Sequence, residues 1–187
     1  TLNGGAGNDT LAIGATFTAS DTFDGGAGTD TATMSTSTTI APTLTNVEKA
    51  TVGFIAGGAF NAGNSSSLTT ITAEEKTDNT AAPVTIINIA DGTQVILLED
   101  TTNASDITTL TLDSATGADV TLTARLAQGE ATTITDVVGL TINAESTAVT
   151  ASIGAIALDD TDTTSVTLVG ADTAYALSTG AISSSDS

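Results

Sequence analysis

Apolar and polar residues alternate along most of this 187-residue chain. The alternation is clearest where Val, Ile or Leu takes turns with Thr, as in residues 68–72, 107–112 and 120–123. Successive side chains of a strand point to opposite faces, and β-branched residues suit its extended backbone. The pattern therefore predicts an all-β protein, with short helical turns expected only at residues 73–77 and 122–131.

The spacing of the predicted strands is irregular. Their centres lie 18 to 30 residues apart and are separated by turn residues such as Asp91-Gly92. A right-handed parallel β-helix, solenoid-like and with insertions on one face, accommodates this spacing. Repeated Leu-Thr and Val-Thr pairs favour coils that stack like residues on one another. For the C-terminal part, a β-sandwich is the alternative.

The amino-acid composition of the sequence changes after residue 38. Residues 1–38 are rich in glycine and aspartate, whereas residues 39–187 form a body rich in Thr, Ala and Val. Residues 57–67, with several Gly, Asn and Ser, predict a flexible loop. The chain opens in what reads as the end of a repeat and closes on residues 183–187 without a capping pattern, so we expect a segment of a longer protein.

Composition narrows the function. Three Lys and Arg against 22 Asp and Glu give a net charge of −19, which predicts repulsion from nucleic acid and anionic membranes. The sequence has no run of about 18 apolar residues, so we expect no membrane insertion. His and Cys are absent, which removes the usual triads and zinc sites, and adjacent acids such as Glu74-Glu75 point to opposite faces of a strand. We expect no catalytic residues and no enzyme.

Two nonapeptides share one pattern, G-G-x-G-x-D-x-U-x, where U is apolar. They are GGAGNDTLA at residues 4–12 and GGAGTDTAT at residues 25–33, and they begin 21 residues apart. Glycine permits the positive φ that turns carbonyls inward, aspartate adds a carboxylate, and the last three residues suit a strand. Between them, residues 16–24 keep Asp21 and Phe23 at the matching places and read as a degenerate repeat.

These nonapeptides resemble the RTX calcium-binding repeats of bacterial secreted proteins. The resemblance implies a parallel β-roll in which two nonapeptides form a coil, and loops one coil apart share a Ca²⁺ ion, which takes about 6–8 oxygen ligands. It implies side-chain ligation by Asp9 and Asp30, with Asp24 as a weaker candidate, and backbone ligation by the carbonyls of Gly4, Gly5, Gly7, Gly25, Gly26 and Gly28. For Asp9 and Asp30 to face one site, residues 13–15 have to bulge outward. Ordinary turns explain one such loop; two in register favour calcium.

The phrase Leu44-Thr45-Asn46-Val47-Glu48, which follows the glycine-rich repeats, is similar to sequences of bacterial surface-layer (S-layer) proteins and large surface adhesins. This resemblance implies an extracellular, type I-secreted structural protein at the cell surface. It would fold with calcium and assemble with itself into a two-dimensional lattice, with cell-surface polysaccharide contacted through other parts of the protein. The alternatives are the stalk of an RTX adhesin and a non-catalytic segment of a secreted enzyme. Acidic turns such as Asp159, Asp160 and Asp162 are further, weaker calcium candidates.

Overall fold

The chain folds as a parallel β-solenoid. A computed structural model describes residues 1–14, 21–76, 82–98, 107–125, 131–144, 150–153, 156–158, 165–170, 176–179 and 182–184. These ranges contain strands and no helix. In chain order the strands are β1 (Leu2–Ala6), β2 (Thr10–Ala12), β3 (Thr22–Ala27), β4 (Thr31–Thr36), β5 (Thr39–Ile40), β6 (Thr43–Thr45), β7 (Lys49–Phe54), β8 (Gly58–Asn61), β9 (Thr70–Glu75), β10 (Ala82–Ile89), β11 (Gln94–Leu98), β12 (Ile107–Arg125), β13 (Ala131–Ala144), β14 (Thr150–Ile153), β15 (Ile156–Leu158), β16 (Ser165–Gly170), β17 (Ala176–Thr179) and β18 (Ile182–Ser184).

Successive coils stack their strands into long parallel ladders. A first ladder joins β1, β3 and β6. A second runs through β2, β4, β7, β9 and β11 into the later halves of β12 and β13 and on to β16. A third runs through β5, β8 and β10 into the earlier halves of β12 and β13 and on to β15 and β18. β14 pairs with β17.

The predicted all-β parallel β-helix is confirmed. All strand pairs within the described ranges are parallel, whereas the sheets of a Greek-key sandwich are antiparallel. The sandwich alternative is therefore wrong for the described C-terminal strands. The right-handed sense of the coil stays a prediction.

The core is built from columns of like residues. In the second ladder Ala32, Ala50 and Ile71 are in register, and each is at most 1% exposed. In the third ladder Phe60, Ile86 and Leu112 are in register and fully buried. Their strand neighbours point outward, which is the alternation read in the sequence. Parallel pairing in register thus converts a period of two along the chain into continuous apolar walls along the solenoid.

Two local predictions are corrected. Ala73–Glu75 and Leu122–Arg125, where helical turns were expected, belong to strands β9 and β12; residues 77 and 126–130 lie outside the described ranges. The flexible loop predicted for residues 57–67 instead contributes strand β8. It then docks Ser65, whose hydroxyl donates to the Pro42 carbonyl at 3.1 Å and accepts from the Leu44 amide at 3.3 Å. The segment therefore covers the end of the first ladder.

The division after residue 38 stays a prediction. The hydrogen-bonded ladder runs across it, because β4 pairs with β7 over six residues. The two predicted regions therefore share one continuous wall.

Strand β10 offers a matched test of the inward face. Ile86 is fully buried and its neighbour Ile87 is half-buried on the opposite face. We expect Ile86→Ala to lower the free energy of unfolding by about 2–5 kcal/mol because it leaves a cavity, and Ile87→Ala by about 1 kcal/mol. Urea denaturation with calcium present measures both. Equal losses would contradict the assignment of faces.

Candidate metal centre

The two glycine-rich loops lie directly on one another. Strands β1 and β3 pair Gly5 with Gly26, and β2 and β4 pair Thr10 with Thr31. The amide of Asp9 donates to Asp30 Oδ1 at 2.7 Å. The three residues by which this coil exceeds two nonapeptides therefore leave the stacking of the two loops in register. Asp9 and Asp30 lie next to each other, as predicted. Residue 15, the last of the predicted bulge, lies outside the described ranges.

The glycines at the second and fourth positions of each loop have the positive φ that the motif predicts. The angles are 101° at Gly5 and 96° at Gly26, and 121° at Gly7 and 144° at Gly28. A Cβ on Gly26 would overlap the Gly5 carbonyl oxygen, and one on Gly28 would overlap that of Gly7. Glycine is therefore needed twice over, for backbone conformation and for the close approach of the next loop.

Each aspartate buries an oxygen that has no hydrogen-bond partner. Asp30 is fully buried, and although its Oδ1 accepts from Asp9, its Oδ2 has none; Asp9 Oδ2 is likewise buried and unpartnered. Both orphan oxygens face the first glycine of their own loop. A Cβ on Gly4 would lie 2.8 Å from Asp9 Oδ2, and one on Gly25 would lie 2.5 Å from Asp30 Oδ2.

A carbonyl oxygen from the next coil faces each of these glycines as well. The Gly25 carbonyl oxygen would lie 2.6 Å from a Cβ on Gly4, and the Asn46 carbonyl oxygen would overlap a Cβ on Gly25. One carboxylate oxygen and one backbone oxygen thus converge twice, one coil apart. Buried oxygens without a donor are costly unless a cation or a proton meets them.

Like charges stack at this site. Asp9, Asp30 and Glu48 follow one another in successive coils and form an acidic column. The Asp9 amide donates a hydrogen bond to the Asp30 carboxylate, and the Asp30 amide donates one to the Glu48 carboxylate. Two like charges 4 Å apart repel by about 1 kcal/mol in water and about 4 kcal/mol at an effective dielectric of 20. In the described part of the chain, an ion pair joins Lys76 to Glu74, and it lies outside the acidic column. No described basic side chain is paired with these carboxylates.

The oxygens present here fit calcium. Ca²⁺ takes carboxylate and backbone carbonyl oxygens in flexible geometry, and Asp9, Asp30 and the Gly25 carbonyl would hold it. No group of three or more acidic, His or Cys side chains converges on one point within the described ranges, so backbone carbonyls have to complete any coordination shell. Gly5 and Gly7 carbonyls point at the neighbouring loop. Ligation by these two carbonyls and by those of Gly4, Gly25, Gly26 and Gly28 stays a prediction.

Asp24, the weaker candidate, lies on the other face of its strand. In β3 the buried Phe23 and Gly25 face inward, and Asp24 between them accepts a hydrogen bond from Asn46 Nδ2 at 2.8 Å. Phe23, the apolar residue of the degenerate repeat, belongs to the core. Residues 16–20 of that repeat, and Asp159, Asp160 and Asp162, lie outside the described ranges.

Sequence reasoning did not identify Asn46 and Glu48 as candidate site residues. Glu48 Oε2 accepts from the Asp30 amide at 2.8 Å, as Asp30 Oδ1 accepts from Asp9, and Asn46 takes a positive φ of 51°. Glu48 follows Asp30 by 18 residues, the length of two nonapeptides. That spacing was the available signal, but it was hidden because this turn lacks glycines.

Comparison of the chain with protein-family models, with curated proteins and with solved structures finds no match. Within the described ranges there is no helix with the length and apolar character needed to cross a membrane.

The glycines offer a test that separates backbone strain from close approach. Gly5 and Gly26 have nearly the same φ, but a Cβ on Gly5 has no atom within 4 Å whereas one on Gly26 meets the Gly5 carbonyl. Alanine at either position should cost about 1–3 kcal/mol in backbone strain. Gly26→Ala should cost more because the loops must also separate. Urea denaturation in calcium measures both, and equal costs would contradict the stacked-loop geometry.

Proposed function

We propose that this chain is a calcium-folded structural segment of an extracellular bacterial surface protein, and that this protein forms a surface layer. The single observation that carries the proposal is the pair of buried carboxylate oxygens in the stacked loops, Asp9 Oδ2 and Asp30 Oδ2, that have no hydrogen-bond partner. Cation binding in the stacked loops would satisfy such oxygens and would offset the repulsion within the acidic column.

Calcium binding would then contribute directly to folding. The loops come together only when the coils stack, so the unfolded chain has no such site, and an ion that binds only the folded state stabilises it by mass action. At a calcium concentration 100 times the dissociation constant this amounts to about 2.7 kcal/mol per site. Low calcium inside the cell would leave the acidic chain unfolded for export, and the higher calcium outside would fold it.

We expect the chain to be expanded in chelator and to gain compactness and a strand-type circular dichroism spectrum as calcium is added. Asp30→Asn should raise the calcium midpoint of this transition by about tenfold or more, because it removes a charge from the ligand set. Glu74→Gln makes the same charge change in a partly exposed pair with Lys76 and serves as the control. A chain that is compact and strand-rich in chelator would contradict the proposal.

The described surface favours polar contacts between molecules. Leu2 is the exposed large apolar residue of the described ranges, at 56% exposure, whereas the outward positions of the second ladder include half-buried threonines at 31, 33, 51, 70 and 72. With a net charge of −19, copies repel one another unless cations intervene. Ions bridging acidic faces would therefore permit a lattice of this chain with itself, while cell-surface polysaccharide would be bound by other parts of the protein.

On the native cell surface, we expect an ordered two-dimensional array that dissolves in chelator and reforms with calcium. Electron microscopy of cells and of extracted full-length protein tests this. Asp9→Ala combined with Asp30→Ala should weaken the calcium response. A surface with calcium-dependent folding but no array would favour the adhesin stalk or the secreted-enzyme segment.

A further inference from the structure

We propose that residues 46–48 form a second calcium-binding turn, so that two ions bind between successive coils instead of the one that the paired glycine motifs imply. The inference rests on the calcium-dependent folding proposed above. Its ligands would be Asp30 Oδ2, the Asn46 carbonyl oxygen and the Glu48 carboxylate.

The arrangement of oxygens at the first pair of loops is repeated at the second. At Gly4, Asp9 Oδ2 meets the carbonyl of Gly25, the aligned residue one coil on; at Gly25, Asp30 Oδ2 meets the carbonyl of Asn46. Both carboxylate oxygens are buried and unpartnered. One ion between the first two loops satisfies Asp9 Oδ2, but Asp30 Oδ2 faces the following coil and needs its own cation.

The turn at residues 46–48 is shorter than the glycine loop that it follows in the stack. Strand pairing aligns Asp24 with Thr45 and Thr31 with Lys49, so residues 46–48 take the place of residues 25–30. The left-handed conformation of Asn46, φ 51°, makes the tight corner that glycines make in the longer loops. The longer side chain of Glu48 then brings its carboxylate to the Asp30 amide.

Glu48 also makes the ladder continuous with the body of the protein. Its carbonyl oxygen accepts from the Thr69 amide at 2.9 Å and the Thr70 amide at 3.1 Å, and the Asn46 amide donates to Ser67 Oγ at 3.2 Å. The turn is therefore held from the following coil as well. An ion at Asp30 would tie the glycine loops to a turn that the body already fixes.

The test is calcium titration of the 187-residue chain by isothermal calorimetry, with two variants. Glu48→Gln keeps an oxygen that can accept from the Asp30 amide and removes the charge; Asp9→Asn makes the corresponding change at the first site. We expect two ions in the wild type, with each variant weakening a different one by about tenfold or more. Asn46→Gly, which keeps the carbonyl and permits the same φ, should retain both.

The outcomes separate the two proposals. A wild-type chain that binds a single ion, weakened by Asp9→Asn and indifferent to Glu48→Gln, overturns the second site and leaves calcium-dependent folding standing. A wild-type chain that binds no calcium overturns both. If Glu48→Gln does not fold, anomalous scattering from lanthanide-soaked wild-type crystals decides: two peaks, one beside the Asn46 carbonyl, support the proposal, and a single peak beside Asp9 overturns it.

Discussion

Parallel pairing in register is the constraint on which this structure depends. It places each residue about 4.7–4.9 Å from its equivalent in the next coil, so that every property of one coil is repeated along the axis. Where the repeated residue is apolar, as at Ile71 and its partners, the result is a continuous wall. Where it is a carboxylate, the same geometry stacks like charges. The core and the acidic column are two results of one pairing rule.

The acidic column shows how that repulsion is partly offset within the chain. Asp30 Oδ1 and Glu48 Oε2 each accept a backbone amide from the preceding coil, and charge-assisted bonds of this kind are roughly twice as strong as neutral ones. Each of these hydrogen bonds therefore holds two neighbouring coils together. These bonds use one oxygen of each carboxylate, and for Asp30 the other stays buried without a donor. The hydrogen bond between coils and the oxygen that we propose binds a cation therefore belong to the same side chain.

The strand faces and the glycine loops could be predicted from the sequence because they depend on local patterns. Alternation fixes which residues of a strand share a face, and the glycine pattern fixes where φ is positive. Alternation in β3 also places Asp24 and Phe23 on opposite faces of the strand. Register between coils could be predicted where the two glycine motifs repeat, but not beyond them, because the corners vary in length. Asn46 and Glu48 were not recognised as candidate site residues for that reason: an asparagine with positive φ and a longer acid replace glycines and aspartate.

The steps of 21 residues from Asp9 to Asp30 and 18 from Asp30 to Glu48 have a further consequence. The corners absorb the difference, while the strands on either side keep their register. Insertions and deletions at such corners leave the walls intact, so a lineage of these proteins can change coil length without losing the fold. A search for repeats at one fixed period would overlook such relatives, whereas an alignment that lets corner length vary and matches only the inward-facing positions would keep them in view.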